Sequence, residues 1–363
     1  MIGAMNVVIF LTGLVLLGIV LWDIFQSIVV PRPTPGRLRL GRYLIPPTWR
    51  LWRTIGTRGR SPEATDWFLG LYAPGAAILL FVVWLAFIVL ADGLMLWALR
   101  AEVTPQLGSF FDALYFAGTS VLTLGFGEIV ASGGVSRVVV LVAAATGLGV
   151  VALVITFVFS LFANYQRREV LVVTLSARAK APPSAVTLLE THARLDMIDE
   201  LPGLFREWER WSAEVLDSHV AYPLLGYFRS SHDNISWISA LGAVLDSAAL
   251  VVTTIQNVPR GQAHMMLKVG AHLVEDISNV RGETGEASEV DEAGFAVVYE
   301  HLERVGYKLE PRDRALRAFE RVRRTYAGRL EALAAFWATP APRWSDDHDA
   351  LPGLAIHQAP AAK

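Results

Sequence analysis

The hexapeptide Thr123-Leu124-Gly125-Phe126-Gly127-Glu128 sets two glycines one residue apart between a hydroxyl and a carboxylate. Glycine adopts backbone angles closed to residues with a Cβ, so a strand punctuated this way can turn successive carbonyl oxygens to one side. A row of such oxygens can replace the water around a dehydrated cation. Thr123 adds a hydroxyl oxygen at one end of the row, and Glu128 places an acid at the other, where it raises the local cation concentration. The chain offers little competing chemistry. It has no cysteine, which excludes disulfides and Cys-based zinc or iron–sulfur sites. No nucleophile–base pair and no metalloprotease spacing appears, so neither an enzyme nor a resident cofactor is expected. A net charge of −2, from 32 basic and 34 acidic residues, argues against capture of nucleic acid.

Two weaker constellations lie further along. His219, Tyr222, Tyr227, Arg229, His232, Asp233 and Trp237 mix aromatic, basic and acidic groups that could line a pocket for an unknown cytoplasmic ligand. The same residues also read as a polar corner between helices, with Asp233 or Asn234 as an N-cap. His272, Glu275 and Asp276 share a helical face at a spacing that could hold a divalent ion, but read more simply as solvated surface.

The elements that must position the hexapeptide are membrane spans. With 53% hydrophobic and 18% charged residues and a mean hydropathy of +0.41, the chain is too apolar for an ordinary soluble protein. Spans are expected at Val7–Val30, Trp67–Leu99 and Val135–Ala163. Between Pro31 and Asp66 lie eight arginines (32, 37, 39, 42, 50, 53, 58 and 60), whereas the stretch from Arg100 to Gly134 holds one basic and three acidic residues. The positive-inside rule then places the N-terminus and the 100–134 loop outside, and everything after Gln166 in the cytoplasm. The Arg-rich segment, with Leu, Tyr and Trp between its charges, should lie along the cytoplasmic interface. Asp23 falls near the cytoplasmic end of its span and Asp92 near the outer end of its own, and each is expected to reach the interface nearest it in preference to a coupling or proton-sensing role. Only four of the basic residues are Lys, a bias of GC-rich bacterial coding, so the expected setting is the inner membrane of a bacterium.

Before the hexapeptide, Ser109 and Asp112 form a capping box that opens a short helix reaching Leu122. The paired glycines then end it, giving a re-entrant hairpin between two spans. Such irregular backbone is tolerated at membrane depth only where protein buries it or it lines a water-filled path. Here the sequence resembles the pore-loop potassium channel family, over about Phe110 to Asn164. That family reads Thr-x-Gly-(Tyr or Phe)-Gly followed by an acid, with a hydroxyl residue where Ser120 stands. The resemblance implies a filter at Thr123, Leu124, Gly125, Phe126 and Gly127 that binds K+, an outer-mouth acid at Glu128, and an inner helix beginning near Arg137. Phe126 would pack outward into an aromatic cuff with Tyr115 and Phe116. Gly147 falls at the family's hinge position, with Gly149 a weaker second; both also read as close helix packing in lipid. A single loop per chain implies a homotetramer in the bilayer. Leu124 and Glu128 depart from the commoner Val and Asp, which leaves a weakly selective cation channel as an alternative. A non-conducting membrane-anchored sensor or scaffold is another.

The second half reads as amphipathic helices: 184–200, 203–218, 234–258, 262–280, 292–305 and 311–339. The stretch 235–255 is the most apolar, with Asp246 its one charge, and is expected as a buried bundle helix in preference to a fourth span. The fold class expected is therefore all-α: an anchor and interfacial segment (1–66), a pore domain (67–165), a helical cytoplasmic domain that modulates gating (166–339) and a disordered tail (340–363).

Overall fold

The computed structural model describes residues 3–30, 40–59, 61–230, 232, 234–282, 285–286 and 289–345. Arg32, Arg37, Arg39, Arg60, Asp233 and the tail beyond 345 lie outside the described residues. Among the described residues the protein is all-α apart from one pair of two-residue strands. Its chain forms two compact units, one of residues 1–164 with 220–228, the other of 165–219 with the described residues from 229 onward.

The first unit contains α1 (Ala4–Ile24), α2 (Leu40–Gly56), α3 (Pro62–Gly70), α4 (Tyr72–Ala98), α5 (Phe110–Val121) and the first part of α6 (Gly134–Ala179). Among the described residues three stretches are long and apolar enough to cross a membrane: Ala4–Val29, Glu63–Ala98 and Gly134–Ala179. This is a membrane protein. Against expectation, α6 does not stop near Ala163 but runs on unbroken to Ala179.

Helix α1 packs on α4 through a backbone approach, since a Cβ on Gly13 would lie 2.6 Å from the Ala91 carbonyl oxygen. Neither acid in these helices reaches the chain's surface, which corrects the sequence expectation. The Asp23 carboxylate accepts the indole N–H of Trp84 at 2.6 Å and the Leu40 backbone N–H at 2.9 Å. It thereby ties α1 to α4 and to the start of α2, a pairing that keeps it 2% exposed. Asp92 is fully buried, and among the described residues neither of its carboxyl oxygens has a hydrogen-bond partner. Between α4 and α6, β1 (Val103–Thr104) pairs antiparallel with β2 (Val130–Ala131). Beside it the Glu102 carbonyl accepts from Ser132 N, Gly133 N and the Ser136 hydroxyl, so the loop that carries α5 is closed at its base.

Segment 220–228 was expected in the helical second half but belongs to the first unit. The reason is aromatic packing. Tyr222 meets Phe157 and Phe228 meets Phe162, at 5.7 and 6.0 Å between ring centroids. Tyr227 lies 5.3 Å from Trp49 and 5.4 Å from Tyr72.

The second unit contains the end of α6 and α7 (Ala185–Arg194), α8 (Leu201–Ala221, up to His219), α9 (Trp237–Thr253), α10 (Arg260–Arg281), α11 (Glu292–Arg304), α12 (Arg312–Arg323) and α13 (Ala327–Trp337). Helix α9 is its centre, with α7, α10, α12 and α13 packed around it. Buried on every side, 235–255 is the bundle helix its Ser and Thr content suggested. Its Asp246 accepts the Tyr326 hydroxyl at 2.7 Å and lies 3.4 Å from Arg323 Nε. Burial raises the Asp246 carboxyl above the usual range, with Arg323 opposing. The single helix expected over 311–339 is two helices, because the chain turns before α13 to bury Tyr326 against Asp246.

Candidate functional site: a pore helix and its loop

Helix α5 starts as its residues require. The Ser109 hydroxyl accepts from Asp112 N at 3.3 Å, while the Asp112 carboxylate accepts from Ser109 N at 2.8 Å and Gly108 N at 3.1 Å. The acid also complements the positive end of the helix dipole. At the other end the Leu122 N–H bonds to the Gly118 carbonyl at 2.9 Å, after which the helix unwinds. Two more bonds anchor the departing chain: Thr123 N donates to Ser120 O at 3.0 Å, and Leu124 N to Thr119 O at 2.8 Å. Thr119 and Ser120 in turn each donate a hydroxyl to Phe116 O.

The loop's backbone is unusual. Thr123, Gly125 and Gly127 have φ of +56°, +58° and +80°, so every second residue is left-handed. Glycine occupies two of these positions because a side chain there is strained. Thr123 is the non-glycine exception, in a region few such residues enter. Alternating handedness lets successive peptide planes turn their carbonyls to one side, the geometry a cation-coordinating row needs. The loop also lines a cavity of about 320 Å³ with Tyr115, Thr119, Ser120 and Val140.

From Leu122 to Glu128 every residue is exposed on the single chain. Leu124 is 53% and Phe126 64% exposed. The expected cuff therefore does not bury Phe126 within the chain: its ring shares the wall of the cavity with Tyr115 and Phe116. Exposure continues along α6, where Val138, Leu141, Leu148, Ile155 and Phe159 are each more than half exposed.

Residues 77–164, from α4 through α5 and the loop to α6, match the family model described as an ion channel. Over those residues the chain is similar to an ion-channel family. No curated protein matches the channel, and no solved structure does. The matched family is one of channels and not of enzymes.

The two glycines of α6 differ. Gly149 has open space around it, whereas Gly147 presses on α5, with a Cβ placed there only 1.8 Å from the Val121 carbonyl oxygen. Gly93 of α4 leaves room for Leu114 of α5. Sequence reasoning marked Gly147 for its position and missed Gly93 altogether; its place inside a span, next to Asp92, was the available signal.

The second constellation divides between the two units. Tyr222 and Tyr227 are spent on the aromatic packing of the first unit. In the second unit His219 is buried, its ring 5.1 Å from Trp237 and its Nε2 3.3 Å from Arg168 Nη1. Burial first, and then the Arg168 charge, hold His219 well below the usual histidine range. Arg168 pairs with Glu169 at 2.9 Å, and Glu169 accepts the Ser230 hydroxyl. Arg229 instead donates to the carbonyls of Trp337 and Ala338, at 3.0 Å each. His232 is exposed. His272 lies 3.6 Å from Asp276 on an exposed face, while Glu275 pairs with Arg329. Among the described residues no group of three metal-ligating side chains converges.

Proposed function

We propose that this channel is a homotetramer that passes K+ selectively down its gradient through a filter of backbone carbonyls from Thr123 to Gly127. The observation that carries this reading is the left-handed backbone at Thr123, Gly125 and Gly127, hung from the end of a capped helix and left exposed. One chain supplies one such strand, and four strands make a ring of oxygens about an axis. Assembly would cover Leu124 and Phe126 and part of the exposed α6 face. Glu128 would stand at the outer mouth, with the N-terminus outside and the second unit in the cytoplasm, as the arginine distribution suggests. That unit joins the pore through an unbroken α6 and is the natural place from which gating is modulated.

The test is the reversal potential of the purified protein in planar bilayers with K+ on one side and Na+ on the other. The expected result is a shift toward the K+ equilibrium potential, abolished by Gly125→Ala. Current that reverses near zero would leave a pore but overturn the selective filter.

A further inference from the structure

Gly147 sits midway along α6, and the helix runs through it without a break. An ideal Cβ there would lie 1.8 Å from the Val121 carbonyl oxygen, 2.7 Å from its carbon and 3.1 Å from its Cα. Val121 is the last residue of α5, so the bare Cα of Gly147 rests on the terminal carbonyl of the pore helix. Carbonyls in the last turn of a helix lack intrahelical partners.

The obstruction is backbone, which has no rotamer to escape into. Gly93 offers the contrast, because a Cβ there would meet the far end of Leu114, 2.7 Å away at Cδ2, and that side chain can turn. At Gly147 the gap must grow from 1.8 Å to the 3.4 Å of ordinary contact, so α6 or the end of α5 must move by about 1.6 Å. The filter hangs from that same turn, through Thr123 N to Ser120 O and Leu124 N to Thr119 O. A shift of the turn therefore carries the filter's first residues with it. Binding constellations tolerate roughly 0.5 Å.

We propose that Gly147 is a positioning residue for ion selection. By lacking a side chain it sets the distance between α6 and the end of α5, and so the placement of the filter's inner oxygens. This rests on the selective-pore reading above and gives Gly147 a role other than bending α6.

The experiment compares full-length wild type, G147A, G149A and the double variant T146G/G147A in planar bilayers, reading the K+/Na+ permeability ratio and the open probability separately. G147A should lose selectivity by about tenfold or more, and G149A should keep it. The double variant should be as unselective as G147A, because a glycine next door restores flexibility but does not remove the methyl group at 147. Wild-type selectivity in G147A with a changed open probability, recovered in the double variant, would mark a hinge and overturn the proposal. If G147A alone does not assemble, tetramers holding one G147A subunit among wild-type copies supply the same comparison, and unchanged selectivity there also overturns it. A wild-type channel that does not distinguish the two ions sinks the selective-pore reading first, before any variant is made.

Discussion

The first unit turns apolar residues outward and the second turns them in. Leu11, Leu14, Val15 and Trp22 of α1 are each at least 48% exposed, whereas every residue of α9 but Val252 is buried. The difference follows from the solvent each unit meets. Lipid is as apolar as Leu, so helices in it are held by close backbone approach and internal polar pairs more than by burial of oil. The first unit shows both devices: Gly13, Gly93 and Gly147 at helix contacts, and Asp23 and Glu102 as polar ties. The second unit is held by burial around α9, and its buried charges must be paired among themselves.

The comparison breaks most sharply at Asp246. Asp246→Ala takes the acceptor from the Tyr326 hydroxyl and a carboxylate from buried Arg323, which keeps Glu331 at 3.2 Å; this should cost about 3 kcal/mol. Hydrogen exchange should show α9, α12 and α13 losing protection while α4 and α5 keep theirs. Equal loss in both units would mean that they do not unfold separately. In the first unit, Trp84→Phe keeps the ring but removes the N–H that Asp23 accepts. The expected cost is about 2 kcal/mol, read as a lower melting temperature of the detergent-solubilised protein and faster exchange at the start of α2.

The third effect is one of pH. His219 is held neutral in the folded unit, by burial first and then by Arg168 with Arg281 beyond; Glu169, paired to Arg168, is the acid nearby. Its folded pKa is thus below the unfolded value, so the unfolded chain takes the proton first. Stability contributed by neutral His219 is complete above about pH 6.5 and falls as pH drops, by up to about 1.4 kcal/mol per unit. His192, lowered chiefly by burial, acts in the same direction. Denaturant midpoints of the second unit between pH 7 and 5 should fall, and His219→Gln should flatten the slope. A slope unchanged in that variant would assign the acid sensitivity elsewhere.

What could be read in the chain was local. The capping box of Ser109 and Asp112 and the paired glycines of the loop are set by neighbours within a few residues, and both stand where the sequence put them. The hidden features depend on partners far away in the chain. Nothing near Asp23 says that Trp84 will meet it, and nothing near Tyr222 says that its ring belongs with Phe157. The break between α12 and α13 was hidden for the same reason, since a helical pattern continues across Tyr326 and only Asp246, 80 residues earlier, draws that side chain inward. Gly147 was visible as a glycine, but its contact with Val121 is a fact about another helix.

The tie at Asp23 also has an order in time. Trp84 is 61 residues downstream, so when α1 leaves the ribosome and enters the bilayer, the group that will bond its acid does not yet exist. An Asp this near the end of its span carries less than the penalty of about 2.5–3.5 kcal/mol for one at the bilayer centre, which the rest of so apolar a helix can bear. Once α4 arrives, the orphaned acid becomes a beacon for it: of all the ways two greasy helices can slide past each other, the one that brings the indole to Asp23 is singled out, and the register of the growing bundle is chosen during synthesis.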